Sequence, residues 1–157
     1  MRSPPVIELN RLPGNFIRRL HQISVAIFLQ ETETYGLTPV QFAALQSVLA
    51  APGIDQRTLA ATIGQDASTT TGVIDRLEAR GLMTRSPSPT DRRARCLTIT
   101  PEGQAVLEKA VPAVLRAQEL LLEPLAPADR ARFLQLIESL VDGNNQLSRA
   151  PRQLSGR

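Results

Sequence analysis

Two short predicted helices, separated by only about three residues, constrain this fold more than any other feature of the sequence. The first begins at the cap residue Asp55 and runs to Gly64. The second is capped by Asp66, covers residues 67–80 and stops at Gly81. A connection this short that includes a glycine is the outline of a helix-turn-helix.

A β-hairpin is predicted directly after the second of these helices. Residues 82–85 can form one strand, and residues 95–99 alternate like a second strand, with Leu97 and Ile99 on one face. Residues 86–93 between them are rich in turn-forming and basic residues. A hairpin in this position is typical of the wing of a winged helix.

Amphipathic helices are predicted on both sides of this core. One begins at a capping box that starts at Thr38. Apolar side chains also recur every three or four residues over three longer stretches, 13–34, 101–123 and 127–147. Pro112 lies inside the second stretch and predicts a kink or a break there, because proline removes a backbone donor.

The composition excludes several other folds and kinds of site. Four phenylalanines and one tyrosine are too few aromatic residues for a large β-sandwich or barrel. The single cysteine, Cys96, excludes an internal disulfide and a cysteine-rich zinc site, and the single histidine, His21, excludes a multi-histidine metal site. We therefore predict a mainly α fold with a small β-hairpin wing (α+β class), built as a winged helix-turn-helix core with N- and C-terminal helices and no cofactor.

The sequence also predicts where in the cell the protein is located. It has no stretch of about eighteen apolar residues, and its N-terminal residues lack the apolar segment of a signal peptide. We therefore expect a soluble, cytoplasmic protein without a membrane partner.

The start of the predicted helix at 67–80 carries a run of small hydroxyl residues that suits contact with DNA. Hydroxyl groups and free backbone N–H groups at a helix N-terminus bind phosphates, and serine and threonine can also touch base edges. Arg76 lies four residues beyond Gly72 on the same helix face, where it should reach a phosphate or a base. The alternatives are local capping of a solvated helix and an exposed ion pair of Arg76 with Asp75 or Glu78.

Arginines are concentrated in the predicted wing. Seventeen of the eighteen basic residues are arginines, and the net charge is +3. A GC-rich genome would also explain that choice, but segment 85–95 alone carries four arginines and one aspartate. Arginine binds phosphates through its planar fork and fits a narrow minor groove, and Asp91 is expected to pair with Arg93 and stiffen the loop. The predicted DNA contacts are Ser68, Thr69, Thr70, Thr71, Arg76, Arg85, Asp91, Arg92, Arg93 and Arg95.

Three motifs in this region resemble those of a known family. They are Asp75-Arg76-Leu77-Glu78-Ala79-Arg80-Gly81-Leu82, Asp91-Arg92-Arg93 and Leu97-Thr98-Ile99-Thr100-Pro101-Glu102-Gly103. Their order is similar to that of the MarR (multiple-antibiotic-resistance regulator) family of winged-helix transcription factors, over roughly residues 16–147. The resemblance implies an obligate homodimer that binds a pseudo-palindromic DNA operator, usually as a repressor, and that a small ligand releases.

The helices outside the core agree with a dimer, because the core leaves little surface for their apolar stripes to cover. Two interlocked chains would bury these stripes. We expect one MarR-type domain over residues 1–157, with the DNA-binding lobe at 36–100 and dimerisation helices at 13–34 and 101–147. Such a dimer places its two recognition helices about one DNA turn apart.

The resemblance also implies a ligand site between the dimerisation helices and the DNA-binding lobe. Arg18 and His21 share a face of the first predicted helix, and Arg19 adjoins them. An arginine for the acid and an apolar slot for the ring would suit an aromatic carboxylate, and the resemblance extends this to its coenzyme A thioester. Alternatively, the arginines are surface charges and His21 is an interface histidine. The candidate ligand-binding residues are Phe16, Arg18, Arg19, His21, Thr38 and Phe42.

Two other functions stay open on the sequence alone. One is a constitutive DNA-binding or architectural protein without an effector. The other is an enzyme, which is disfavoured because the sequence has no glycine-rich phosphate loop, no metal cluster and only one histidine. We expect a regulator rather than an enzyme, and a structural role for Cys96, which lies on a wing strand.

Overall fold

The computed structural model describes residues 5–88 and 95–151, which contain six α-helices and one two-stranded antiparallel sheet. The helices are α1 (Pro13–Glu31), α2 (Pro39–Ala50), α3 (Gln56–Ile63), α4 (Ala67–Ala79), α5 (Pro101–Leu122) and α6 (Pro127–Gly143). The strands are β1 (Met83–Pro87) and β2 (Arg95–Ile99), paired with Met83 opposite Ile99 and Pro87 opposite Arg95. Short 3-10 turns cover Leu9–Arg11, Glu33–Tyr35 and Asn145–Leu147. The predicted fold class is confirmed.

Four helices begin where the sequence places a capping side chain. The side chains of Thr38, Asp55, Asp66 and Thr100 each accept a hydrogen bond from the backbone N–H three residues further along. At Thr38 the capping box is complete, because the Gln41 side chain accepts a hydrogen bond from the Thr38 N–H (3.0 Å). Each cap satisfies a backbone donor that helix geometry leaves unpaired, so local sequence fixes these four helix starts.

The hydrophobic core lies between α2, α3, α4, the base of the hairpin and the first half of α5. Burying one large aliphatic side chain contributes roughly 1.5–3 kcal/mol, so several of them hold α3 and α4 firmly at the angle of a helix-turn-helix. The turn between these two helices contains Gly64, which adopts a left-handed φ of 65°. The fully buried core includes Leu45, Val48, Leu59, Ile74, Leu77, Met83, Leu97 and Leu107.

The hairpin is joined to the core through the connection between α2 and α3. The N–H of Leu97 donates to the carbonyl of Ile54 (2.9 Å), and the N–H of Gly53 donates to the carbonyl of Leu97 (2.9 Å). A bridge between Asp55 and Cys96 continues this pairing. The base of the wing is therefore fixed on the β2 side, and Cys96 sits half-buried within it.

Three helices depart from the sequence prediction. α6 ends at Gly143, four residues before the predicted end, and a 3-10 turn over Asn145–Leu147 follows it. α1 ends at Glu31, and the buried Thr32 that follows donates to the carbonyl of Phe28 from both its N–H (2.9 Å) and its hydroxyl (2.7 Å). α5 runs unbroken past Pro112, so the predicted break is absent. Pro112 is exposed, and the carbonyl of Glu108 that loses its helical partner can be hydrated instead.

The outer helices leave apolar side chains in contact with solvent. No residue of α6 is buried, and on α1 only Phe28 is. Within the described ranges, a single chain does not supply a surface that covers these side chains. The same ranges contain no helix with both the length and the apolar character that crossing a membrane requires. The exposed apolar residues are Phe16, Ile17, Ile23 and Leu29 on α1, and Leu134, Leu136, Ile137, Leu140 and Val141 on α6.

The start of α5 packs directly against the segment that follows α4. A Cβ atom on Gly103 would overlap the carbonyl oxygen of Leu82 and lie 2.9 Å from Cγ1 of Ile99. Because the obstructing atom is backbone, this close approach requires glycine. It accompanies a hydrogen bond from the hydroxyl of Thr100 to the carbonyl of Gly81 (2.6 Å), which attaches the start of α5 to the end of α4.

Gly103→Ala is expected to lower the free energy of unfolding by about 1–3 kcal/mol or more, because the added methyl group meets backbone that cannot move aside. Gly72→Ala on α4 is the matched control, since a Cβ there would meet no atom within 4 Å. The control is expected to raise the free energy of unfolding by about 0.5–1 kcal/mol through helix propensity. Urea denaturation measures both, and parent-like stability of Gly103→Ala would contradict the close packing.

Candidate nucleic-acid interface

The outward face of α4 is the surface best placed to contact a nucleic acid. The inward face carries Val73 and Leu77, which are buried in the core. Ser68, Gly72 and Arg76 follow one another in steps of four residues and form a stripe on the outward face, where Ser68 and Arg76 are exposed. Among the described residues, Arg76 has no carboxylate partner. Its guanidinium group is therefore available to a ligand.

The N-terminus of α4 is shaped by its cap. Asp66 accepts hydrogen bonds from the N–H (2.8 Å) and the hydroxyl (3.1 Å) of Thr69. These bonds, with a smaller contribution from the positive charge of Arg149, hold the pKa of Asp66 below its ordinary value. Ser68 stays exposed beside this cap, where backbone N–H groups and the helix dipole favour an anion.

The structure corrects the predicted DNA contact of Thr70. Its side chain is fully buried and its hydroxyl donates to the carbonyl of Asp66 (2.8 Å), so it cannot reach a duplex. Thr71 is half-buried. Its hydroxyl donates to the carbonyl of Ala67 (2.9 Å) and accepts from the amide of Gln56 on α3 (2.6 Å). These two threonines hold α4 in place, and only the first two hydroxyl residues of the run are exposed.

Arg85, another predicted DNA contact, is paired with carboxylates of its own chain. Its guanidinium group donates to Asp75 (2.7 Å) and to Glu78 (2.7 and 3.0 Å), both on α4. The hydrogen bonds to Glu78, and then to Asp75, raise the pKa of Arg85 further above its ordinary value, so it is permanently charged. Three donor contacts of its guanidinium group are therefore made within the chain.

The rest of the predicted wing contacts are only partly described. Arg95 is exposed on β2, opposite Pro87. Asp91, Arg92 and Arg93 lie outside the described residues, so their roles stay predictions.

The C-terminal end of α4 is held by contacts that sequence reasoning missed. Arg80 donates from Nη1 to the carbonyl of Gly36 (2.6 Å) and from Nη2 to the carbonyl of Tyr35 (2.9 Å). These carbonyls lie just beyond α1, so Arg80 joins the end of α4 to the end of α1. No local pattern could have indicated this pairing, because its partners are 44 and 45 residues apart in the sequence.

The candidate ligand residues on α1 lie at the surface of the chain. Arg18 donates to Asn15 (2.9 Å) and Gln22 (3.4 Å) of its own helix. Arg19 and His21 are exposed. One chain therefore presents these cationic and imidazole groups on the outside of α1.

Phe16 and Phe42, the two candidate ring contacts, are not brought together within one chain. Phe42 on α2 packs edge-on against Phe28 of α1, with ring centroids 6.1 Å apart. Phe16 is twelve residues before Phe28 on the same helix, which places it about 18 Å away along the axis. Thr38 already accepts the cap hydrogen bond from Gln41 (3.2 Å), although its O–H can still donate. The candidate residues thus do not form one slot in a single chain.

The groups on this surface suit contact rather than bond-breaking chemistry. They are hydroxyl groups, guanidinium groups and backbone N–H groups, which match phosphates and base edges. In the described ranges, no group of three histidine, cysteine or acidic residues could hold a metal ion.

Comparison with known proteins relates this geometry to a family. The sequence profile of the MarR family matches residues 37–94, which span α2, the helix-turn-helix and most of the wing. A similar protein is the HTH-type transcriptional repressor NicR of Pseudomonas putida. It is 30% identical over 131 residues, which cover 83% of this chain and 83% of NicR.

Solved structures share the fold over nearly their whole length. BpsR of Bordetella bronchiseptica, whose DNA binding is regulated by 6-hydroxynicotinic acid, matches with a TM-score of 0.83 and 31% identity, covering 88% of this chain and 99% of BpsR. The transcriptional repressor CouR, solved on a 23-mer DNA duplex, matches with a TM-score of 0.80 and 32% identity, covering 89% of this chain and 99% of CouR.

Proposed function

The chain belongs to the MarR family of transcriptional regulators, and from this premise we propose a homodimeric repressor that binds a pseudo-palindromic operator and is released by a small aromatic acid or its coenzyme A thioester. Like its relatives, it is a transcriptional regulator and not an enzyme. The observation that carries the proposal is the stripe of Ser68, Gly72 and Arg76, a helix face free of core contacts. Such a face fits a major groove.

The proposed complex places α4 in the major groove and the wing over the neighbouring minor groove. Ser68 at the helix start binds phosphate, Gly72 allows close approach, and Arg76 reaches a phosphate or a base edge. Thr69 is exposed beside them, but its N–H and hydroxyl already donate to Asp66. The arginines of segment 92–95 supply the wing contacts, because an arginine in a narrow minor groove needs no base code.

A second copy of the chain is the proposed cover for the apolar side chains of the outer helices. In this arrangement residues 36–100 form the DNA-binding lobe, and residues 13–34 and 101–147 form the dimer. The support is that α6 has no buried residue and that five of its large apolar side chains are exposed. A two-fold axis between the chains explains why the operator should be pseudo-palindromic.

The proposed effector is an aromatic carboxylate in the cytoplasm. BpsR is regulated by such an acid, and this chain carries Arg18, Arg19 and His21 on α1, which could bind the carboxylate. Since Phe16 is far from Phe42 in one chain, a slot that uses both is completed across the dimer. Ligand in that slot favours a spacing of the two lobes that does not fit adjacent major grooves.

A constitutive DNA-binding protein is the alternative function. It is favoured by the finding that the candidate ligand residues do not form one slot in a single chain. The two proposals share the DNA interface and differ only in whether a compound releases the duplex.

Arg76→Gln is expected to weaken binding about tenfold or more, and to relax sequence preference if Arg76 contacts a base. Arg92→Ala and Arg93→Ala are expected to lower affinity across sequences and to reduce its salt dependence. Fluorescence anisotropy at two salt concentrations measures the affinity and its salt dependence, on a duplex that the parent protein selects from a randomised library. Arg11→Gln, which lies outside the proposed dimer and DNA-binding segments, is the charge-matched control and should bind like the parent. Parent-like binding by all three test variants would contradict the interface.

A panel of aromatic acids and their coenzyme A thioesters, with 6-hydroxynicotinic acid included, is expected to contain a compound that releases this duplex. Arg18→Gln is expected to raise the concentration needed about tenfold, because a charged hydrogen bond to the carboxylate is lost. Arg11→Gln, which alters another exposed arginine near α1, is the control. If no compound releases the duplex, the effector proposal fails and the constitutive alternative is supported. If release occurs and Arg18→Gln responds like the parent, Arg18 is not a ligand contact.

A further inference from the structure

One arginine joins the wing to α4 through four hydrogen bonds. On Arg85, Nη2 donates to Oδ1 of Asp75 (2.7 Å) and to Oε2 of Glu78 (2.7 Å), and Nε donates to Oε2 of Glu78 (3.0 Å). The backbone N–H of Arg85 donates to Oε1 of Glu78 (3.2 Å). Both oxygens of Glu78 are therefore bound by the same strand residue, one through its backbone and one through its side chain.

These bonds lie beyond the hydrophobic core. On β1, Met83 is fully buried, whereas Thr84, Ser86 and Pro87 are exposed. A two-stranded hairpin is only marginally stable by itself in water. The contacts of Arg85 therefore hold the β1 side of the wing against α4 at a point where apolar packing has ended.

The charges around Arg85 disfavour a direct contact with DNA. Its side chain is only 28% exposed, and it faces two carboxylates, so the three side chains together carry a net negative charge. Uncompensated negative charge close to a phosphate backbone opposes binding. Asp75 and Glu78 therefore suit a structural role, holding the guanidinium group of Arg85, better than a role in contacting DNA.

We propose that Arg85, bound to Glu78 and Asp75, is a positioning residue for DNA recognition that fixes the wing at one distance from α4. This inference rests on the proposed function. A fixed distance lets the helix and the wing meet adjacent grooves together, and ordering the wing before binding lowers the entropy lost on the duplex. Arg85 itself makes no contact with DNA.

The sign of one substitution separates positioning from direct contact. Glu78→Gln removes a negative charge near the duplex, which by electrostatics alone strengthens binding. Positioning predicts the opposite, a loss of affinity of about three- to tenfold, because a neutral amide holds the guanidinium group less firmly. Glu8→Gln, which removes the same charge from another ion pair with arginine and lies outside the proposed dimer and DNA-binding segments, is the control and should bind like the parent.

Substitutions of the arginine give a second, independent readout. Arg85→Lys keeps the charge but cannot form the forked contacts, so positioning predicts a loss close to that of Arg85→Gln, whereas a phosphate contact would largely survive. Arg85 and Glu78 act as one unit in this account. The double variant Arg85→Gln/Glu78→Gln should therefore bind DNA no more weakly than Arg85→Gln alone. The salt dependence of DNA binding by Arg85→Gln should stay at the parent value, since this substitution removes no phosphate contact.

Anisotropy on the duplex that the parent selects measures all of these variants, and thermal unfolding shows which of them fold. If Arg85→Gln does not fold, Glu78→Gln and Arg85→Lys carry the test. If the parent selects no duplex, the proposed function fails and the positioning role fails with it. If the parent selects a duplex but Glu78→Gln binds it as tightly as the parent or more tightly, the positioning role is overturned and the proposed function stands. A reduced salt dependence in Arg85→Gln would then identify Arg85 as a direct DNA contact.

Discussion

The attachment of the C-terminal end of α4 is the constraint on which the rest of the structure depends. Arg80 ties this end to two carbonyl groups just beyond α1, and Thr100 at the start of α5 ties its hydroxyl to the carbonyl of Gly81. Gly103 packs beneath the carbonyl of Leu82, so α5 cannot slide along the end of α4 without a backbone clash. The segment that follows α1 and the cap residue of α5 are thus both attached to the C-terminal end of α4.

The opposite end of α4 is attached through Thr70 and Thr71 on its inward side and exposes polar groups on its outward side. Asp66 caps it, Ser68 and Thr69 are exposed there, and Arg76 continues the outward stripe. Because α4 is a single helix, a displacement of the elements attached to its C-terminal end is passed on to the groups that it presents on its outward face. In the proposed mechanism, a ligand that shifts α1 relative to α5 changes the spacing of the two recognition helices through these anchors.

The sequence predicted what depends on neighbouring residues and missed what depends on distant ones. The caps at Thr38, Asp55, Asp66 and Thr100 follow from a few adjacent side chains, and the structure has all four. Thr70 and Arg85 were assigned to DNA by residue type and position. Whether a threonine faces the core, or an arginine meets two carboxylates on another element, depends on how α4 packs. The prediction of a break at Pro112 was wrong for a related reason. The helix face is exposed there, so water can hydrate the carbonyl that proline leaves unpaired.

The central claim is that two copies of this chain read DNA together, because each chain holds one recognition helix and leaves α1 and α6 uncovered. Its most direct test is the affinity of the protein for its selected duplex before and after about five base pairs are inserted at the centre, which rotates the half-sites by about half a helical turn. The account predicts that affinity falls at least about tenfold, since the dimer can no longer engage both half-sites. Unchanged affinity would show that each lobe binds DNA independently and would contradict the dimeric account.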